Sequence, residues 1–131
     1  MAPGKTVYIG IIGVGGVGQA FLGQLAQLQR RLAKRDPPTS LSLVLVRRST
    51  KQLTSPDYKP IEVSSALAEL DKVTGPYPQL NDAITYLAKA PGKAVLVDNT
   101  SDLKDVALGY PDILRRGISI VTPNKKAFSH T

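Results

Sequence analysis

Short apolar runs alternate along this chain with longer amphipathic stretches. Val7-Tyr8-Ile9-Gly10-Ile11-Ile12 is the first run and predicts a strand over about Thr6–Ile12. From about Gly16 to Arg35 the period becomes helical. Phe21, Leu25, Leu28 and Leu32 recur at steps of four, three and four, which predicts one buried face, with Gln24, Gln27, Arg31 and Lys34 facing water. Asp36-Pro37-Pro38-Thr39 ends that helix, because proline cannot continue it. Leu41–Val46 reads as a second strand. Arg47–Pro60 reads as a polar loop with a turn signal at Ser55-Pro56-Asp57. Ile61–Lys72 predicts a short helix with Ala66, Leu67 and Leu70 on its apolar side, and a brief strand is placed between Asp71 and Thr74. After the break at Gly75-Pro76-Tyr77-Pro78, Leu80, Ile84, Leu87 and Ala88 define another amphipathic helix, ending at Pro91-Gly92. Ala94–Asp98 is almost wholly apolar, as a strand covered on both faces should be. Asn99-Thr100-Ser101-Asp102 opens a further helical region, which Pro111 breaks or restarts and Gly117 caps. Ile118–Val121 is the last predicted strand. Strands alternating with helices imply an α/β, Rossmann-type doubly wound parallel sheet with right-handed crossovers, residues 1–131 forming a single unit.

Between the first strand and the first helix lies Gly13-Val14-Gly15-Gly16-Val17-Gly18. A GxGxxG pattern in isolation is weak; between a strand and a helix it has the context that a dinucleotide needs. Gly13 permits the tight turn out of the strand. Gly15 lets the backbone approach a pyrophosphate, and Gly18 lets the helix lie close on the sheet. The pyrophosphate would then meet free N–H groups at the positive end of the helix. An ordinary tight strand-to-helix turn is the competing reading.

Composition narrows the classes. With 131 residues, 42% of them apolar, the chain suits one soluble domain with a real core. It has no cysteine, which excludes disulfides, thiolate catalysis and cysteine-based metal sites. No signal-peptide pattern precedes the first strand, and no apolar run approaches the roughly 20 residues that span a bilayer. A cytoplasmic protein without a membrane partner is expected. The net charge of +7 raises the question of nucleic acid. Between Arg30 and Lys51, however, seven basic residues face one acid, a local charge of +6, so the remainder is nearly balanced. Part of that excess sits at a helix C-terminus, where cations complement the dipole, and part beside the presumed cofactor. The aromatic residues are scattered, so no nucleic-acid partner is expected.

The second strand ends in Arg47-Arg48, followed by Ser49 and Thr50. An NAD-selective site usually has Asp or Glu there, accepting hydrogen bonds from the ribose hydroxyls. A guanidinium holds a phosphate by paired hydrogen bonds, so Arg47 and Arg48 favour NADP, with NAD still possible. Two exposed surface arginines are the plain alternative. Thr100, at the carboxyl end of another strand, could reach the nicotinamide side of the cofactor; Asn99, Thr100 or Ser101 could equally cap the next helix. Lys125, with Lys126, follows the last strand at the same edge. A lysine there can stabilise charge on a substrate oxygen or relay a proton, although neighbouring lysines are more often solvated. His130 stands next to the last residue, outside any chemical cluster, and no metal site is expected.

These residues together carry a family resemblance. Ile12-Gly13-Val14-Gly15-Gly16-Val17-Gly18 with Ala20-Phe21-Leu22 and Gln24-Leu25, then Val97-Asp98-Asn99-Thr100-Ser101, then Gly117-Ile118-Ser119-Ile120-Val121-Thr122-Pro123-Asn124-Lys125-Lys126-Ala127-Phe128-Ser129 follow one another in order. In this the chain resembles the N-terminal cofactor domain of homoserine dehydrogenase, especially the single-function fungal type. The resemblance implies NAD(P)-dependent interconversion of L-aspartate 4-semialdehyde and L-homoserine, on the route to threonine and methionine. It implies that the glycine turn binds the pyrophosphate, that Thr100 contacts the cofactor, and that Lys125 lies near nicotinamide and substrate and takes part in catalysis. It also implies that the substrate pocket, acid–base residues and dimer contacts of a homodimeric enzyme belong to a following domain outside these 131 residues, leaving this part inactive without them. A non-catalytic dinucleotide sensor and a different NAD(P)-linked dehydrogenase remain open beside it.

Overall fold

The computed structural model describes residues 4–13, 16–48, 50–99 and 110–121, with 16–18 and 110 as backbone. Five strands and four α-helices are described: β1 (Lys5–Ile12), α1 (Gly16–Ala33), β2 (Thr39–Arg47), β3 (Gln52–Thr54), α2 (Ala66–Asp71), α3 (Leu80–Ala88), β4 (Lys93–Asp98), α4 (Tyr110–Arg115) and β5 (Ile118–Val121). They form one sheet in the order β3-β2-β1-β4-β5. β2, β1, β4 and β5 run parallel to their neighbours, and β3 pairs antiparallel to β2. This mostly parallel sheet with flanking helices is the expected Rossmann-type α/β architecture.

Two apolar layers enclose the sheet. On one side Ile9, Ile11, Leu43, Val46 and Val97 pack with Leu22 and Leu25 of α1 and Ala66 and Leu70 of α2. On the other, Ile12, Val44, Ala94, Leu96 and Ile118 pack with Ile84 and Leu87 of α3 and Ile113 of α4. Leu43 and Val46 share a face although they lie three positions apart, which a strict period of two forbids. The register explains it: Ile9 pairs with Leu43 and Gly10 with Leu45, so β2 carries one extra residue at that point.

The buried stripe of α1 differs from the expected one. Leu22 and Leu25 are buried, and the expected Phe21 and Leu32 are half-buried together with Gln29, whereas Leu28 is 38% exposed. Gln29 takes the place beside the sheet because its Nε2 donates a 2.7 Å hydrogen bond to the Leu41 carbonyl at the start of the β2 core. The Arg47–Pro60 loop also needs correction. It contains β3, whose Leu53 pairs with Val46 and Gln52 with Arg47. Three residues are too few for a readable periodicity, and the pairing is set by the hairpin. No strand forms between Asp71 and Thr74. Val73 N–H instead donates to the Leu70 carbonyl at 3.1 Å, finishing α2, and the sheet edge is already taken by β3. Pro111 lies within α4, and the residues before Tyr110 that would tell a break from a restart lie outside the described ones; Gly117, at φ +86°, caps α4 with its N–H on the Leu114 carbonyl at 3.0 Å.

A tyrosine cluster fastens the Ser55–Lys59 turn. Tyr58 stacks on Tyr86 at 4.5 Å and donates its hydroxyl to the Tyr86 carbonyl at 2.7 Å; Tyr86 in turn donates to the Ser55 carbonyl at 2.6 Å. Burial, then the neighbouring Tyr58 and Asp57, push the Tyr86 hydroxyl up to about 12, so it stays a donor at physiological pH.

Gly10 sits where β1 passes between β2 and α3. A Cβ there would lie 3.1 Å from both Leu45 Cδ2 and Leu87 Cδ2. Gly10→Val is expected to destabilise the fold by about 1–3 kcal/mol through overpacking. Urea unfolding measures this, and an unchanged midpoint would contradict the packing described.

Candidate functional site

β1 ends at Ile12, and the chain turns at Gly13, whose φ of +86° is a conformation that a side chain disfavours. Gly13 N–H donates to the Arg47 carbonyl at 2.7 Å, tying the turn to the end of β2. Asn99 N–H donates to the Ile12 carbonyl at 2.8 Å, tying the end of β4 to the same point. α1 then begins at Gly16 and runs through Val17 and Gly18. The first turn of that helix therefore opens at the carboxyl edge of the sheet, between the strands on either side of β1. This is the switch point where open α/β sheets bind ligands. Val14 and Gly15 lie outside the described residues.

Asn99 is the residue that sequence reasoning undervalued. Its side-chain Oδ1 and Nδ2 are buried, and neither has a hydrogen-bond partner among the described residues. A buried amide without partners is unfavourable by about 1–3 kcal/mol, so it asks for a ligand group that can both donate and accept. The sequence placed Asn99 in the Val97–Ser101 motif at the carboxyl end of a strand and among possible helix caps, and gave the cofactor contact to Thr100. Its neighbour Thr100 lies outside the described residues, as does Lys125.

The two arginines at the end of β2 have different surroundings. Arg47 is 7% exposed. Its Nη1 donates to Gln52 Oε1 at 2.6 Å and to the Pro78 carbonyl at 2.8 Å, and its guanidinium lies 4.1 Å from the centre of the Tyr77 ring. It clamps the Gly75–Pro78 segment to the hairpin and is not a free surface cation. Arg48, whose side chain is 33% exposed, pairs through Nη2 with Asp71 Oδ1. Arg48 N–H donates to the Lys51 carbonyl at 2.9 Å, so the two residues flank the tip of the β2–β3 hairpin. Lys51 Nζ donates to the Asp71 carbonyl at 2.6 Å. The Arg48 hydrogen bond, then its charge, then Lys51 hold the Asp71 carboxyl below its usual range. Tyr77 adds a further tie by donating its hydroxyl to the Arg48 carbonyl at 2.5 Å. Lys51 was counted in the basic segment beside the presumed cofactor; Tyr77 and Asp71 gave no signal in the sequence, because only the fold brings them to the end of β2.

The arrangement fits a dinucleotide at three points. A glycine turn and helix opening suit the pyrophosphate, a cationic hairpin tip suits the adenosine end, and an unpartnered amide lies at the end of β4. Among the described residues no cluster of three or more His, Asp or Glu side chains could hold a metal ion, and no helix is long and apolar enough to cross a membrane.

Comparison with known proteins agrees with this geometry. Residues 13–131 match the family described as homoserine dehydrogenase, NAD binding domain. The chain is 49% identical over 135 residues to homoserine dehydrogenase of Paracoccidioides brasiliensis, covering 96% of this chain and 34% of the relative. It is 46% identical over 129 residues to that of Emericella nidulans, covering 94% and 32%. A crystal structure of a Candida auris protein of unknown function superposes with a TM-score of 0.72 at 34% identity, covering 94% of this chain and 32% of that one. The chain spans about a third of the length of the curated relatives it matches. With a family match over most of its residues and a sheet that ends in a glycine turn at the ligand edge, this chain belongs to the homoserine dehydrogenase family, within the part that forms the NAD-binding domain.

Proposed function

We propose that this chain binds NADP(H), and NAD(H) less tightly, as the cofactor part of an enzyme that interconverts L-aspartate 4-semialdehyde and L-homoserine. The observation that carries the reading is the Gly13 turn, held at positive φ between the Arg47 carbonyl and the opening of α1. When bound, the nicotinamide supplies the hydride for the aldehyde carbon, or accepts it in the reverse direction. Gly13 shapes the turn, its own N–H being held by the Arg47 carbonyl, and Val14, Gly15, Gly16, Val17 and Gly18 receive the pyrophosphate on backbone N–H groups. The Asn99 amide and Thr100 orient the nicotinamide side. Lys125 holds positive charge beside the substrate oxygen as that oxygen gains negative charge. Arg48 takes the 2′-phosphate, with Arg47 holding the hairpin and Tyr77 in place behind it. The substrate pocket and acid–base groups lie outside these 131 residues, a view supported by the share of the relatives that the chain covers. The biosynthetic role of the relatives supports a cytoplasmic setting, and the family resemblance supports a homodimer.

Fluorescence titration with NADPH and NADH tests the binding. NADPH is expected to bind more tightly. Arg48→Ala should lower NADPH affinity about tenfold or more, with NADH and thermal stability little changed, because a charge-assisted contact is lost. Arg47→Ala should instead lower stability by about 1–3 kcal/mol, because it leaves the Gln52 and Pro78 acceptors without their donor. An Arg48→Ala chain that binds NADPH normally would remove the basis for NADP preference.

Asn99→Leu is expected to weaken both cofactors while leaving the melting temperature equal or higher, since it removes a buried amide that has no partner among the described residues. A fall in melting temperature with unchanged cofactor affinity would assign Asn99 a purely structural role.

In a chain carrying both cofactor and substrate parts, Lys125→Met should lower kcat for homoserine oxidation about a hundredfold or more, with NADPH affinity changed far less. The 131-residue chain by itself should show negligible turnover. Substantial turnover by it would contradict the proposed division of labour.

A further inference from the structure

The hairpin tip presents two cations, and both already converge on one residue. Arg48 Nη2 pairs with the Asp71 carboxylate, and Lys51 Nζ donates to the Asp71 main-chain carbonyl at 2.6 Å. Asp71 is the last residue of α2, where helix carbonyls are exposed and negative in character. The Asp71 side chain is 64% exposed to solvent, and among the described residues Arg48 is the cation that pairs with its carboxylate. Arg47 cannot answer an arriving anion, because its guanidinium is committed to Gln52, Pro78 and Tyr77. The available positive charge at the end of β2 thus resides in Arg48 and Lys51, and an acid stands on it.

From this we infer that Asp71 is an internal competitor for the 2′-phosphate of NADP(H) and sets how strongly this site discriminates between NADP and NAD. The inference rests on the reading that the hairpin tip receives the adenosine end of the cofactor. A phosphate monoester carries nearly two negative charges and three acceptor oxygens, so it displaces a single carboxylate from a guanidinium. Displacement is easy because exposed ion pairs are weak. A carboxylate left beside the bound phosphate then repels it. NAD has no phosphate at that position and leaves the Arg48–Asp71 pair intact. Asp71 therefore lowers affinity for the phosphorylated cofactor and is indifferent to the other.

The test is the affinity of the full chain for NADPH and NADH, by fluorescence titration, in four forms: unmodified, Asp71→Asn, Arg48→Ala, and the two substitutions combined. Asp71→Asn should raise NADPH affinity about three- to tenfold, the combined effect of freeing an exposed pair and removing a like charge. NADH affinity should stay within about twofold. In the Arg48→Ala background the gain from Asp71→Asn should shrink to less than about twofold, because the competitor acts through Arg48. Circular dichroism melting should report an unchanged fold, as the pair is exposed.

NADPH affinity that stays constant or falls in Asp71→Asn overturns the inference, since Asp71 would then orient Arg48 for the ligand. An equal gain for NADPH and NADH also overturns it, because that would be a general charge effect. So does a full gain that persists without Arg48. If the unmodified chain binds neither cofactor, the proposed function itself fails and the inference with it, a result separate from tight NADPH binding that ignores Asp71.

Discussion

Two backbone hydrogen bonds organise the ligand edge of this protein. Gly13 N–H reaches the Arg47 carbonyl, and Asn99 N–H reaches the Ile12 carbonyl. They bring the ends of β2, β1 and β4 to one level at the carboxyl edge of the sheet. Removing either bond would let a strand end slide, and the glycine turn, the hairpin tip and the Asn99 amide would lose their common reference. The turn itself is possible because position 13 has no Cβ to oppose a φ of +86°. The packing beneath supports the same level: Ile11 and Leu43 are fully buried on the α1 side, and Leu96 and Leu87 on the α3 side. Burial of apolar side chains on both faces keeps parallel strands in register, since slippage by one residue would send each side chain to the opposite layer.

Much of this fold could be read from the chain before any coordinates. The strands at Ile9–Ile12, Leu43–Val46 and Leu96–Val97 are continuous apolar runs, and such runs are what a sheet covered on both faces requires. Proline and glycine marked the boundaries at Pro37, Pro91 and Gly117 correctly because their effects are local. Leu28 and β3 were misread because what decides them is not local. Gln29 displaces Leu28 from the sheet through a bond to Leu41, twelve residues away. β3 exists because the hairpin returns against β2, and Gln52-Leu53-Thr54 carries no pattern of its own. The same rule governs the site. Gly13 and the arginines were legible because a motif and a strand end are contiguous in sequence. Tyr77 and Asp71 were not, because each reaches the end of β2 across more than twenty residues of chain.

Adjacent arginines at one strand end also show how two identical residues take different work. Arg47 is the last residue of β2, paired with Gln52 across the hairpin, and its side chain is held within the protein. Arg48 is the first residue beyond the strand and faces the tip. A cation at 7% exposure must be met by acceptors and an aromatic face, and Gln52, Pro78 and Tyr77 meet that demand. The residue that is satisfied in this way rigidifies the hairpin, and the residue left at the surface is the one that can exchange partners. Lysine at position 47 could not reproduce the arrangement, because it lacks a planar group to lie on Tyr77 while donating sideways.

Stability and function are therefore divided unevenly along the edge. The Arg47 clamp adds to the fold and offers little to a ligand. The Asn99 amide does the opposite: it is buried without partners among the described residues, which their packing alone gives no reason to keep. The Arg48–Asp71 pair is intermediate, since it satisfies both charges at the surface yet can be broken at small cost. A ligand that completes Asn99 and exchanges with Asp71 gains on both counts, and it must be long enough to reach from the end of β4 to the end of β2 across the glycine turn. A dinucleotide meets that requirement with its pyrophosphate over the turn and a nucleoside at each end. A mononucleotide could engage one end only, so the separation of the Asn99 amide from the exchangeable Arg48–Asp71 pair along the sheet edge itself argues for a two-headed ligand.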